Sequence, residues 1–290
     1  MNILQPRVSI ITPSYNQGEF IEDTILSVKN QDYPNIEHII TDGGSTDNTL
    51  EILRKYEGTY NIHWISEPDK GQADAVNKGF AMAKGEIIGW LNSDDVYLYK
   101  DTISLVVRTF CNQPDVNVVY GHVIKINPKN TILRAKFIPN FNYDLLCRWC
   151  FPAQPSVFFR RKVVENQQLR TDLHCSMDYD FWLRIGQKYR WKRINYALSA
   201  DRNHLVRKSI SQKNCATYET QMLRKNIIQS KINLLERVTD LFLKVWTRLG
   251  GFMLLYQIVR RHNKLTLSFE IPNLLHLLRT QLLGKDYELL

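Results

Sequence analysis

With 290 residues and 44% hydrophobic content, the chain has the composition of an ordinary globular protein able to bury a full core in one large domain or two lobes. Its formal charge of +9 is uneven: from Asn203 to Leu290 there are 14 Lys/Arg against 6 Asp/Glu, so the basic surplus sits at the C-terminal end and suits phosphate-bearing surfaces. Five scattered cysteines, an odd number, argue against a secreted disulfide framework and fit a reducing compartment.

Met1 to Arg7 lacks the basic and apolar stretches of a signal peptide, so the expected location is the cytoplasm. From Val8 onward, short β-rich runs alternate with stretches of helical period. The runs are Val8–Ile11, Ile36–Ile40, Ile62–Ile65 and Ile87–Leu91, and each is followed by polar turn residues. That alternation predicts a mostly parallel, Rossmann-like sheet flanked by helices, joined by right-handed crossovers, with ligands at the carboxyl ends of the strands.

The polar residues fall at those ends. Thr12 to Gly18 follows the first run, Thr41 to Asp47 the second, Ser66 to Gly71 the third and Asn92 to Asp95 the fourth. Each loop alone could be a turn or helix cap, because Ser, Thr, Asp and Gly serve those roles. Asp42 at a strand end can accept hydrogen bonds from a nucleobase or ribose, and Gly43-Gly44 would let backbone approach a ligand; a plain Asp-Gly turn ahead of a helix capped by Ser45 or Thr46 is equally compatible. Beyond Glu67, Gln72 and Asp74 could bind sugar hydroxyls, Lys70 or Lys78 could meet phosphate, and Asn77 facing the sheet would be hard to explain as solvated surface. Asp94-Asp95 after a buried strand suggests a hard cation, which takes one or two carboxylates plus phosphate oxygens.

Past Asp95, Val116–Ile126, Ile132–Ile138 and Pro155–Phe159 read as strands and Asp178–Lys188 as a helix, together completing the sheet and forming the acceptor side of a cleft. Cys147-Arg-Trp-Cys150 has no second pair at zinc-site spacing and reads as buried thiols. Asp178 and Asp180, two apart on one helix, cannot both face the cleft; one would cap or pair with Arg184. Asp201 to Ser211 joins His204 to Arg, Lys and hydroxyl groups apt for a diphosphate and its metal. From Ala216 the chain reads helical, with breaks at Gly250-Gly251 and Pro272.

Leu249–Val259, between Arg248 and Arg260, is the longest uncharged C-terminal run and falls short of the roughly 20 apolar residues that span a bilayer. Leu241–Leu249 and Leu274–Leu283 mix Leu, Trp and Phe with cations, as interfacial helices do, while a homodimer interface or packing on the first domain fits equally. No reader motif for nucleic acid accompanies the charge.

Taken in order, these segments resemble glycosyltransferase family 2 over about Val8 to Ser211. Val8-Ser-Ile-Ile-Thr-Pro-Ser-Tyr-Asn16 is similar to the family's opening strand, Thr41-Asp-Gly-Gly-Ser-Thr-Asp47 to its nucleotide-binding strand end, Asn92-Ser-Asp-Asp95 to its DxD metal motif and Met177-Asp-Tyr-Asp-Phe-Trp-Leu-Arg184 to its "ED" helix. The resemblance implies a GT-A fold and inverting transfer from a nucleotide-diphosphate sugar, UDP-linked in first choice, to a hydroxyl of a saccharide or lipid-linked saccharide. Bacterial cell-surface polysaccharide or glycolipid synthesis would be the setting. Asp178 becomes the base in preference to Asp180. Donor contacts would come from Thr12, Ser14, Tyr15, Asp42, Gly44, Ser45, Lys70, Gly71, Gln72, Asp74, Asn77, Asn92, Ser93 and Asp94.

Mn²⁺ or Mg²⁺ would sit on Asp94, with Asp95 as neighbour or second ligand and His204 as a further metal residue. Two positions depart from the family pattern: Asn92 stands at the first DxD position and Met177 replaces the usual Glu. The expected organisation is a catalytic domain over 1–213, its donor part about 1–97 and acceptor part about 98–213, followed by a basic helical extension over 214–290 that could hold the protein on the inner face of the membrane. A sugar-nucleotide pyrophosphorylase is the rival enzyme, but Thr12 to Gly18 holds a single Gly where a phosphate loop needs several. A non-catalytic donor-binding scaffold is the other alternative.

Overall fold

The computed structural model describes residues 5–227 and 234–269. Nine strands form one sheet: β1 (Val8–Ser14), β2 (Ile36–Asp42), β3 (Ile62–Ser66), β4 (Ile87–Trp90), β5 (Val96–Tyr97), β6 (Val118–Ile126), β7 (Ile132–Lys136), β8 (Val157–Arg160) and β9 (Trp191–Arg202). Their spatial order is β3-β2-β1-β4-β8-β6-β9-β5, with β7 paired to β6. The helices are α1 (Ile21–Lys29), α2 (Thr49–Tyr56), α3 (Gln72–Met82), α4 (Thr102–Asn112), α5 (Tyr143–Arg148), α6 (Lys162–Glu165), α7 (Met177–Gly186), α8 (Lys208–Ser211), α9 (Lys213–Ile227) and α10 (Leu234–Arg260).

The four runs read from the sequence are the parallel strands β1 to β4. Every residue of β1 is buried, as expected for a parallel strand covered on both faces. Helix α3 lies directly on it: a Cβ at Gly79 would sit 2.2 Å from Ile11 Cγ2, so this approach requires glycine. Past β4 the sheet is mixed. β8 runs antiparallel to both β4 and β6, while β9 is parallel to β6. Predominantly parallel pairing is thus a property of the first half.

β9 is the longest strand and escaped the sequence reading, because Lys192, Arg193 and Asn195 interrupt its N-terminal half, where exposure varies, whereas Ala197 to Arg202 are all buried. The predicted strand at Pro155 starts at Val157 instead, since Gln154–Ser156 form a 3₁₀ turn.

At the C-terminal end, α10 runs through Gly250-Gly251 without the expected break. Gly250 has a packing role: a Cβ there would sit 2.6 Å from the Phe137 ring. Leu254, Leu255 and Ile258 join Ile124, Ile132 and Phe137 in one buried cluster. The other side of α10 exposes Leu241, Phe242, Val245, Trp246, Leu249, Met253 and Tyr256, each about half exposed or more. Their spacing of three, four and seven residues puts them on one stripe. Pro272 and the run Leu274–Leu283 lie outside the described residues. Among the described residues, no helix is long and apolar enough to cross a membrane.

Candidate functional site

A cleft of about 920 Å³ opens over the carboxyl ends of β1 and β4 and is closed on its far side by β6, β7, the start of α7 and the chain after β9. Ser14, Tyr15, Gly71, Gln72, Asn92, Ser93, Asp94, Asp95, Asp178 and His204 line it. Thr12, Asp42, Gly44, Ser45, Lys70, Asp74 and Asn77 are not on its wall, although sequence reasoning placed them in the donor site.

What those residues do instead is visible in their hydrogen bonds. One Asp42 oxygen accepts the Gly44 N–H at 3.0 Å, the Ser45 N–H at 2.8 Å and the Ser66 hydroxyl at 2.7 Å, while the other accepts the Ser45 hydroxyl. The Ser45 oxygen in turn accepts the Asn16 N–H at 2.7 Å. Gly44 at φ +83 provides the left-handed residue this turn needs. The Thr12 hydroxyl is bonded to His38 Nε2 at 2.9 Å, both side chains being buried. Asn77 clamps the backbone of Leu169 through two bonds of 2.9 Å each. Asp74 accepts the Lys70 N–H at 3.1 Å and faces Lys78 at 3.7 Å. These groups shape the loops, and Gly43 rather than Gly44 forms the wall.

The fourth strand end is wired differently. Asn92 Oδ1 accepts from Trp90 Nε1 at 2.9 Å and Gln72 Nε2 at 2.8 Å, and its amide donates to Gln154 at 3.0 Å, fixing the turn that carries Asp94 and Asp95. Arg202 is wholly buried, stacks its guanidinium 5.0 Å from the Phe20 ring centroid, and donates to the Asp94 carbonyl at 2.9 Å and the Asp23 carboxylate at 2.9 Å. Asp95 accepts the Arg202 N–H at 2.9 Å. Burial, and then the charges of Asp94 and Asp201, push the Asp95 carboxyl well above its ordinary range.

Asp94 Oδ2 lies 2.9 Å from His204 Nε2, and among the described residues the buried His204 Nδ1 has no hydrogen-bond partner. A carboxylate and an imidazole facing one cleft, beside a second carboxyl short of compensating charge, fit a hard divalent cation that draws its other ligands from phosphate and water. Asp94 and His204, bonded here to each other, are the pair that would hold it; Asp95 is partly occupied by its backbone bond.

Across the cleft, the first turn of α7 is held by α9. Glu219 accepts the N–H groups of His174 at 2.7 Å, Cys175 at 2.9 Å and Ser176 at 2.8 Å. Asp178 lines the cleft and accepts the Tyr179 N–H at 2.7 Å. Burial raises its carboxyl to about 6. Asp180 turns the other way, 2.8 Å from Arg184 and 3.6 Å from Arg170. The two aspartates left open by periodicity are therefore separated by their partners. Met177 is buried and also touches the cleft.

Lys125, Lys136 and Gln154 of the wall were missed, and Asp201 was read only as part of the segment running to Ser211. Asp201 at the end of β9 pairs with Lys125 of β6 at 2.5 Å and with Arg207. Burial alone would raise the Asp201 carboxyl, but Arg207 and Lys125 hold it well below the usual range. Burial and Arg207 bring Lys125 down to about 8. The available signal was a single lysine inside the apolar run Val118–Ile126. Lys136 and Gln154 also line the cleft. Of the Cys147/Cys150 pair only Cys147 is buried; Cys150 is half-buried on the cleft wall, reached from its place just after α5.

The chain was compared with known proteins. A family model described as glycosyl transferase family 2 matches residues 9–177. Hyaluronan synthase of Pasteurella multocida is 29% identical over 227 residues, which is 76% of this chain and 23% of that protein. The chain thus spans under a quarter of that relative's length. Among solved structures, S. aureus TarS 1-349 in complex with UDP superposes with TM-score 0.59 at 19% identity, covering 81% of this chain and 68% of that one. The mannosyltransferase PcManGT from Pyrobaculum calidifontis, in complex with GDP-Man and Mn²⁺, superposes with TM-score 0.60 at 20% identity, covering 89% and 76%. The likeness establishes the fold, a GT-A arrangement.

Proposed function

The chain belongs to glycosyl transferase family 2, and on that premise we propose that it transfers a sugar, with inversion, from a nucleotide-diphosphate donor to an acceptor hydroxyl during polysaccharide assembly. The observation that carries this reading is Asp178, raised by burial to about 6, facing the same cleft as the Asp94–His204 pair. A UDP-sugar is the first choice of donor, since TarS was solved with UDP, and the name of the hyaluronan synthase relative supports a polymer setting.

In this mechanism Asp178 accepts the proton of the acceptor hydroxyl as its oxygen forms a bond to the anomeric carbon. The bond from that carbon to the diphosphate breaks on the opposite face, so configuration inverts, and charge at carbon has oxocarbenium character. Arg207 and Lys208, both on the cleft wall, meet the charge of the departing diphosphate. When bound at Asp94 and His204, Mn²⁺ or Mg²⁺ would supply further neutralisation of that charge. Tyr15, 59% exposed on the cleft rim, offers a flat face for a base or sugar.

Release of nucleotide from a panel of UDP-, GDP- and TDP-sugars tests the proposal. Turnover with a UDP-sugar in Mn²⁺, falling about 100-fold or more on chelation, is expected; undiminished turnover under chelation would remove the metal from the scheme. We also infer that the apolar stripe of α10 rests on a membrane surface. The surplus of Lys and Arg in the same C-terminal third supports a lipid partner over a second subunit.

A further inference from the structure

We propose that Lys136 forms an acceptor subsite for an anionic group, the carboxylate or phosphate of a charged sugar, in the same cleft as Asp178. The inference rests on the glycosyl-transfer reading and goes beyond it by naming the class of acceptor.

The sheet register puts Lys136 there. Lys136 of β7 pairs with Val123 of β6, which pairs with Ser199 of β9; two residues further along, Lys125 pairs with Asp201. Side chains two apart on a strand share a face, so β7, β6 and β9 present Lys136, Lys125 and Asp201 to the same side. All three line the cleft. Their charges are not equivalent. Lys125 and Arg207 share the Asp201 carboxylate, whereas among the described residues no carboxylate lies within ion-pairing distance of the half-buried Lys136. Its ammonium is 6.0 Å from the Trp149 ring centroid, the limit of a cation–π contact.

Cys150 lines the same cleft as Lys136 and Asp178. Its thiol is raised by burial and by the Asp178 carboxylate and lowered by Lys136, so it stands in the field of both. Lys136 is itself lowered by burial, which marks an ammonium short of solvation. An acceptor whose hydroxyl reaches Asp178 would share this cleft with Lys136, and a negative group on it would gain a charge-assisted hydrogen bond that a neutral sugar cannot offer the ammonium.

The test is a binding titration of the full chain with UDP and Mn²⁺ present, using methyl glucuronide, glucose 6-phosphate and methyl glucoside, followed by saturation-transfer NMR. At least one anionic sugar should bind about tenfold or more tightly than the neutral one, and the two anionic arms distinguish carboxylate from phosphate. Lys136→Met should bring anionic binding down to the neutral level, and Lys136→Arg should retain the preference. Equal binding of all three sugars, or a K136M protein with the wild-type preference, overturns the subsite. Donor turnover by the same wild-type samples reports on the family chemistry separately, so either reading can fail without the other.

Discussion

The two sides of the cleft are built on opposite principles. On the side of β2, the polar groups at the strand end are consumed by one another: Asp42 alone accepts four hydrogen bonds from its own and a neighbouring loop. On the side of β6, β7 and α7, Asp201 pairs with Lys125, but among the described residues Lys136 and Asp178 face the cleft without ion partners, and burial displaces both from their ordinary ionisation. The first side is scaffold whose loops expose Gly43 and Tyr15 to the cleft. The second holds Lys136 and Asp178, whose ionic needs a bound substrate would meet under the proposed function.

The contrast can be broken most directly at Asp178. Asp178→Asn should lower transfer about 1,000-fold, as loss of a general base does, with UDP affinity unchanged; near-wild-type turnover would take the role from this residue. On the scaffold side the effect should appear in stability. Asp42→Ala leaves two backbone N–H groups and two hydroxyls without their acceptor and should cost about 2–4 kcal/mol in denaturant unfolding. A variant of unchanged stability would dissolve the distinction between the two sides.

A subtler sharpening comes from pH. With its carboxyl at about 6, Asp178 should make kcat/KM climb through that value and level above it. Its folded-state value is raised, so the fold binds the proton more tightly than the unfolded chain does. Its stability contribution is therefore full below the ordinary carboxylate value and is lost as pH rises to about 6 and beyond. Above that window Asp178→Asn should melt at a higher temperature than wild type; an unchanged Tm would mean that the carboxylate is solvated. The smallest expected effect concerns the tail. Full-length protein should float weakly with anionic liposomes at low salt, and replacing Leu241, Phe242 and Trp246 by Ser should abolish it; no flotation of the unmodified chain would count against the lipid partner.

Sequence patterning made the first half of the fold readable because buried parallel strands leave uninterrupted apolar runs, as in Val8–Ile11 and Ile36–Ile40. β9 was opaque because its exposed half carries Lys192 and Arg193. At the site, Asp94, Asp95, Asp178 and His204 could be read from residue type and motif order, and all four line the cleft. Asp42 could be read only as a strand-end acid, because Ser66, the partner that helps fill its carboxylate, lies 24 residues away. Asp180 is distinguished from Asp178 by Arg170 as well as Arg184, and no helical period reveals the first of these.

Glu219 sets an order of assembly. The three N–H groups it satisfies immediately precede α7, so the segment leading to Asp178 lacks this anchor until a glutamate 43 residues beyond Ser176 has been made and docked. A nascent chain halted near residue 213 would hold both halves of the cleft yet leave the start of α7 frayed. Completion of the cleft is thereby tied to emergence of the segment that leads on to α10.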